Sequence, residues 1–240
     1  VVSDQPLSGQ VLSREGLVNR LLYRDGLMLV VDKPAGIPVH RGPKGGLNLE
    51  DLFDALQFGL PKPPALAHRL DRDTSGCLVL GRHPKALKKL GNLFADGRIK
   101  KTYWAIVHGT PDSDSGTIDA ALAKRSELRG WWMKVDAGGQ EAVTHFKVLA
   151  KTATMAWLEL KPQTGRTHQI RVHLAHIGCP IIGDPIYGLP QDKVDLGGPP
   201  KLMLHARTIS IPLYANREPI EVTAEPPAKM ADLLAGFAAP

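Results

Sequence analysis

An α+β fold built on a mixed β-sheet is predicted by three features of this sequence. Strand-like apolar runs outnumber helical patterns, and the helices fall between them irregularly rather than in strict βαβ order. Gly/Pro/Asp-rich stretches punctuate the chain at RGPKGG (41–46), TPDSDSG (110–116) and YGLPQDKVDLGGPPK (187–201) without making a long linker. With 240 residues, 43% of them apolar, the chain is long enough to bury a sizeable core. A single domain over 1–240 is expected. No apolar run approaches the roughly 20 residues that span a bilayer, and VVSDQPLSGQ lacks the pattern of a secretory signal. Two cysteines, Cys77 and Cys179, are too few for a disulfide framework. A cytoplasmic monomer that makes no use of a membrane is therefore expected. The first residue is Val1 rather than Met, which leaves the native N-terminus open.

The elements follow in order. LLYRDGLMLVVDKPAGIPVH (21–40) reads as two short strands separated by turn formers at Arg24-Asp25-Gly26 and Lys33-Pro34-Ala35-Gly36. CLVLG (77–81) is a continuous apolar run, as in a central strand. Pro84 suits the first turn of a helix through Ala95, with Leu87, Leu90, Leu93 and Phe94 on its apolar side and Lys85, Lys88, Lys89 and Asn92 away from it. KTYWAIVHG (101–109) resumes a strand, with Tyr103, Ala105 and Val107 on one face. THFKVLAKTATMAWLELKP (144–162) predicts a β-hairpin. A helix follows, with Thr167 as N-cap, an Ile170–Leu174–Ile177 stripe, and Gly178 and Pro180 as its stop. LMLHARTISI (202–211) is a further strand and PAKMADLLAGF (227–237) a short terminal helix.

The net charge of +6 and pI near 9.3 favour a polyanionic partner. From Arg82 to Lys101 the chain places seven Lys or Arg residues against one acid, Asp96. Clustered cations of this kind displace counterions from phosphates, although the same run also suits a solvated helix face.

The densest charge lies in AHRLDRDTSGCLVLGR (67–82), where His68, Arg69, Asp71, Arg72 and Asp73 lead directly into an apolar strand. Ions are costly to bury unpaired, so this is a paired turn or a working site. Four chemistries are considered. Asp71-x-Asp73 invites a divalent cation, but Arg69 and Arg72 already offset its charge. His168, His173, His176 and Cys179 make only a partial zinc pattern, because His168 precedes the other two by five residues or more. Ser75 lacks the G-x-S-x-G elbow of a nucleophile, and Thr74, Ser75 and Gly76 read better as a tight turn whose hydroxyls satisfy backbone groups. The fourth reading makes Asp71 a lone catalytic carboxylate, kept ionised by Arg171, with Tyr103 as an aromatic wall for a planar substrate.

HRLDRDTSG (68–76) resembles the signature of RNA pseudouridine synthases of the RluA/RsuA type. DGLMLVVDKPAGIPVH is similar to the family's first motif, KKTYWAIVHG to its tyrosine segment, GRTHQIRVHLAHIGCPIIGDPIYG to its third motif, and LMLHA to its last cleft strand. The blocks run in family order from about Leu22 to Ala206, within a motif-bearing core of about 22–211. An S4 domain, which many members carry at the N-terminus, is not expected within these residues.

The resemblance implies a bent sheet with a catalytic cleft, and conversion of uridine to pseudouridine in tRNA or ribosomal RNA without metal or cofactor. It gives Asp71 the catalytic role, by attack on C1′ or by removal of the C2′ proton. Tyr103 lies against the uracil and is the candidate for handling the C5 proton, and Arg171 is ion-paired with Asp71. It also implies substrate or RNA contacts from His68, Arg69, Arg72, Thr74, Arg166, His168 and Leu204. Arg69 is read as the side chain that props the flipped state. Phosphate contacts are expected from Lys85, Lys88, Lys89, Lys100 and Lys101. An RNA-binding module of the same fold without turnover is the alternative, against which intact Asp71, Tyr103 and Arg171 speak. A metal-dependent transferase using Asp71 and Asp73 is the weaker one.

Overall fold

The computed structural model describes residues 12–41, 46–126, 132–189 and 201–237. Among them, helix α1 (Arg14–Val18) is followed by strands β1 (Leu21–Arg24) and β2 (Met28–Lys33), a 3₁₀ helix at Glu50–Leu56, β3 (Ala65–Leu66) and β4 (Ser75–Gly81). Next come α2 (Pro84–Ala95), β5 (Lys100–His108), β6 (Ser115–Asp119), β7 (Leu122–Lys124), β8 (Met133–Val135), β9 (Val143–Lys151) and β10 (Met155–Pro162). Helix α3 (Gln169–His176), β11 (Leu204–Ile211), β12 (Ile220–Thr223) and α4 (Ala228–Ala235) complete the order. Ten strands form one mixed sheet along the path β1-β2-β4-β11-β5-β10-β9-β6, with β3 on β4 and β12 on β11, while β7 and β8 pair separately. This is the expected α+β class. No helix among the described residues is long and apolar enough to cross a membrane.

Strand β4 is buried along its whole length because both faces are covered. Leu78 and Leu80 join Leu29 and Val31 over the 3₁₀ helix residues Leu52, Phe53 and Leu56. Cys77 and Val79 join Met28 and Val30 beneath Leu90 and Leu93 of α2. Two-sided burial explains why this segment reads as a continuous apolar run rather than an alternating one. Helix α2 starts at Pro84 behind His83, whose Nδ1 accepts the Ala86 N–H at 3.2 Å. Its buried side chains are Ala86, Leu90 and Leu93, which leaves Lys85, Lys88 and Lys89 exposed. Both cysteines are buried free thiols.

The β4–β11 contact is the parallel seam of the sheet and is only two residues long, His205 opposite Ser75 and Ala206 opposite Gly76. Gly76 is not merely a turn residue. It has φ +104°, and a Cβ there would overlap the backbone of Ala206. The Ser75 hydroxyl, expected to serve the backbone, instead meets Nδ1 of His205 at 2.9 Å. Nε2 of that ring faces the Ala224 carbonyl at 3.0 Å, so Nε2 carries the proton and Ser75 donates to Nδ1.

Helix α3 departs from expectation at its start. Thr167 does not cap it; the N-cap is His168, in the left-handed region (φ 54°, ψ 18°), and its side chain makes no capping bond. Gln169 roots the helix instead. Its Oε1 accepts from Thr164 Oγ1 (2.6 Å) and Arg166 N (3.0 Å), and its amide donates to Val143 O and Thr144 Oγ1, both at 3.0 Å. A hydroxyl cap became unnecessary once the first helical side chain took over the turn. Ile170 and Leu174 pack with Leu158 and Leu160 of β10 as the stripe requires, and Gly178 (φ +76°) follows the end of the helix. Of the three punctuating stretches, 110–114 links β5 to β6, whereas 42–45 and 190–200 lie outside the described residues.

Gly76→Ala is expected to destabilise the fold by about 3 kcal/mol or more, because the seam must open to admit a methyl group at a strained φ. A urea midpoint within experimental error of the wild type would show that the seam is not this tight.

Candidate active site

The charged loop 67–74 joins β3 to β4, and a turn closes it where Thr74 N donates to the Asp71 carbonyl at 3.2 Å. It is held from below by Lys33, at the end of β2, whose side chain is fully buried. The Lys33 amine donates to the carbonyls of Pro34 (2.9 Å), Arg72 (2.8 Å) and Thr74 (2.9 Å). Three acceptors match the three N–H donors of an ammonium. Burial pulls its pKa down to about 7, while Asp73, Asp71 and Asp32 act in the opposite direction. Sequence reasoning missed Lys33 as more than a turn residue. The available signal was a lysine ending the apolar run MLVVDK, where a charge needs a partner.

Asp71 lies where this loop faces α3. Arg171 Nη1 is 3.2 Å from Asp71 Oδ2, and His168 Nε2 is 3.8 Å from the same oxygen. The expected Arg171–Asp71 contact is therefore present, but it is one-pronged. The two-pronged contact falls on Asp184, with Nε to Oδ2 and Nη2 to Oδ1 both at 2.7 Å. Burial would raise Asp184, but Arg171 and the N–H groups of Ile186 and Tyr187 outweigh it and hold the carboxyl below its ordinary value. Burial likewise works against the Arg171 charge, and Asp184 and Asp71 more than offset it. A guanidinium clamped from behind in this way can present only one edge to Asp71.

The surrounding cavity has a volume of ≈ 530 Å³, within the roughly 300–1,000 Å³ range of ligand pockets. Tyr103 on β5 forms one wall. Gly76, Ala206 and Tyr103 stand in one row across three strands, so the seam sets the distance from loop to ring. Burial and the Asp71 charge push the Tyr103 phenol up, which keeps it protonated at neutral pH. Arg69, Thr74, Arg166, Lys101 and Leu204 also line the cavity. Among the described residues Arg69 forms an ion pair with neither Asp71 nor Asp73. Lys101 is drawn partly inward, with Nζ 3.5 Å from the Thr164 carbonyl, and burial lowers its pKa.

Other expected site residues stand apart. Arg72 is spent on Asp73, with Nε 3.1 Å from Oδ1, and it lies outside the cavity with Lys85, Lys88, Lys89 and Lys100. His68 borders the cavity but serves the fold: Nε2 accepts the Val79 N–H at 3.0 Å and the ring stacks on Phe94 at 4.7 Å. Burial drives its pKa down to about 3, so it is neutral. Of the zinc candidates, His173 is occupied at both ring nitrogens by Thr144 Oγ1 (3.0 Å) and Ala120 O (2.9 Å). Among the described residues no group of three or more His, Cys, Asp or Glu is disposed to hold a metal ion.

The structure thus combines a mixed α+β sheet with a cavity that brings Asp71, Arg171 and Tyr103 together, and comparison with known proteins gives the class. The family model for RNA pseudouridylate synthase matches residues 27–176. An "Uncharacterized RNA pseudouridine synthase" of Zymomonas mobilis is 43% identical over 223 residues, 92% of this chain and 99% of that protein. The "Ribosomal large subunit pseudouridine synthase D" of Xanthomonas campestris is 37% identical over 231 residues, 90% of this chain and 69% of that protein. The structure of human RNA pseudouridylate synthase domain containing 4 superposes with a TM-score of 0.78 at 28% identity, covering 93% of this chain and 95% of that one. The chain belongs to the RNA pseudouridylate synthase family, RluA type, and is thus an isomerase.

Lys33→Met is expected to cost about 3 kcal/mol, since it leaves buried carbonyls without donors. Because two of those carbonyls belong to the charged loop, catalytic turnover is expected to fall with stability. A variant with wild-type urea midpoint and turnover would remove Lys33 from both roles.

Proposed function

We propose that this chain converts uridine to pseudouridine in structured RNA, with Asp71 as the catalytic carboxylate and ribosomal RNA of the large subunit as the favoured substrate over tRNA. The observation that carries the reading is the Asp71 carboxylate at the cavity wall, 3.2 Å from an arginine that Asp184 clamps from behind. The names of relatives such as the Xanthomonas protein support the choice of RNA.

In this reading the target nucleotide leaves its stack, at a cost of a few kcal/mol, and enters the cavity with its uracil on Tyr103. Arg69, free of an ion pair to the loop carboxylates, enters the vacated space and stacks on neighbouring bases. The C1′–N1 bond breaks, with Asp71 acting on C1′ or taking the C2′ proton. The uracil turns while still held and C5 joins C1′, displacing Asp71 from C1′ in the first route or with Asp71 returning the proton to C2′ in the second; the C5 proton departs as N1 regains one. A protonated Tyr103 is suited to relaying that proton rather than to removing it as a phenolate. Arg166 and Lys101 at the cavity edge provide for the flanking phosphates, and the α2 lysines for more distant ones.

Asp71→Asn is expected to retain RNA binding and lose conversion, because a neutral amide is a poor nucleophile and a poor base. The assay is tritium release from RNA transcribed with uridine labelled at C5. Conversion by the variant at even about a tenth of the wild-type rate, a cost of only ~1.4 kcal/mol, would be too little for loss of the reacting group.

Neutralising Lys85, Lys88 and Lys89 together is expected to flatten the plot of log affinity against log salt by about 0.7 to 0.9 for each phosphate that is no longer neutralised. An unchanged slope would mean that the outer face of α2 meets solvent alone.

A further inference from the structure

The two carboxylate oxygens of Asp71 have different surroundings. Arg171 Nη1 at 3.2 Å and His168 Nε2 at 3.8 Å both approach Oδ2. Among the described residues Oδ1 takes no hydrogen bond.

His168 reaches Oδ2 through two unusual features. Its backbone is left-handed at φ 54° and ψ 18°, a conformation uncommon for residues other than glycine. Its ring is oriented from behind by Tyr187, whose hydroxyl accepts the Met133 N–H at 2.8 Å and lies 2.9 Å from His168 Nδ1. The Tyr187 hydroxyl, which accepts from Met133, has its own proton to give, and in the tautomer we assign it donates that proton to Nδ1. The ring proton is then on Nε2, the nitrogen that faces Asp71. Burial first, then the charges of Arg171 and Arg69, hold the imidazole below its ordinary pKa against the pull of Asp71 and Asp184. The ring is therefore a neutral donor with one directed N–H. Tyr187 packs edge-on against it (5.6 Å) and carries the Arg171 guanidinium over its own face (5.2 Å), so one phenol braces both groups that meet Oδ2.

We infer that His168 is a positioning residue whose Nε2–H, together with Arg171, holds Oδ2 of Asp71, so that Oδ1 is the oxygen presented to the ribose, and that Tyr187 sets its tautomer. The inference rests on Asp71 being the reacting carboxylate. A contact of 3.8 Å is longer than a hydrogen bond and closes when substrate fills the cavity, as contacts among catalytic groups commonly do. The backbone alone would be better served by glycine, which adopts this region without strain. That difference separates positioning from mere structure.

The test uses the whole chain and C5-tritiated transcripts of large-subunit ribosomal RNA and of tRNA. Tritium release by the wild type comes first, because none from either RNA would overturn the underlying pseudouridine reading itself. Given release, His168→Gly is expected to keep or raise the melting temperature and leave KM within about two-fold, while kcat falls by at least ~10-fold. His168→Gln, whose amide nitrogen reaches the place of Nε2, is expected to recover much of that loss. Tyr187→Phe is expected to lower kcat several-fold by freeing the tautomer. Should His168→Gly fail to fold, His168→Asn replaces it, since Asn tolerates the left-handed region and its amide is too short to reach Oδ2. Wild-type kcat in the folded Gly or Asn variant, a loss in KM alone, or a Gln variant no better than Gly would each overturn the positioning role.

Discussion

The backbones of β4 and β11 approach at Gly76 and Ala206 more closely than any side chain on residue 76 would permit. Because Ala206 in turn pairs with Tyr103, the end of the charged loop and the aromatic wall lie two strand spacings apart, about 10 Å. The sheet has no other parallel ladder among its described strands. Ala206 packs into the core beneath Leu78 and Leu80, whereas Leu204 on the same strand packs into the core of β5 and β10, so two cores meet at the seam. The cavity opens along this line, and its chemistry comes from loop 67–74 on one side and from α3 on the other.

Charge is arranged around the seam so that the buried basic side chains Lys33 and Arg171 both have partners of good geometry. Lys33 lies under the loop with three carbonyls at 2.8–2.9 Å, and Arg171 lies opposite it between Asp184 and Asp71. Isolated, either cation would destabilise the interior by several kcal/mol. Paired, they hold the loop backbone and one oxygen of the Asp71 carboxylate from opposite sides. The crowding of ions in HRLDRDTSG thus resolves into separate duties. Arg72 and Asp73 satisfy each other at the surface, His68 caps the backbone of β4, and Asp71 and Arg69 face the cavity.

The basic segment 82–101 likewise divides by position on its elements. Arg82 is structural, donating to the carbonyls of Asp25, Gln57 and Phe58. Lys85, Lys88 and Lys89 ride on the exposed face of α2, and Lys101 enters the cavity wall from β5. A polyanion lying across α2 would meet point charges outside and a shaped, partly desolvated cation inside. These are the two settings in which phosphate contacts give affinity and register respectively.

The sequence by itself determined what local chemistry can encode. Periodicity placed α2 and the β9–β10 hairpin, a continuous apolar run placed β4, and resemblance to family motifs singled out Asp71, Tyr103 and Arg171, which line one cavity. Short elements such as α1, β6, β7, β8 and β12 carry too few residues for a period to show. Only the tertiary structure decided which partner each charge takes. That Arg171 grips Asp184 before Asp71, that Lys33 supports the loop from a strand some 40 positions earlier, and that His168 rather than Thr167 begins α3 all depend on contacts between segments distant in the chain. The physical reason is that pairing energy follows distance and burial, which are properties of the folded backbone and are not written in any local stretch of residues.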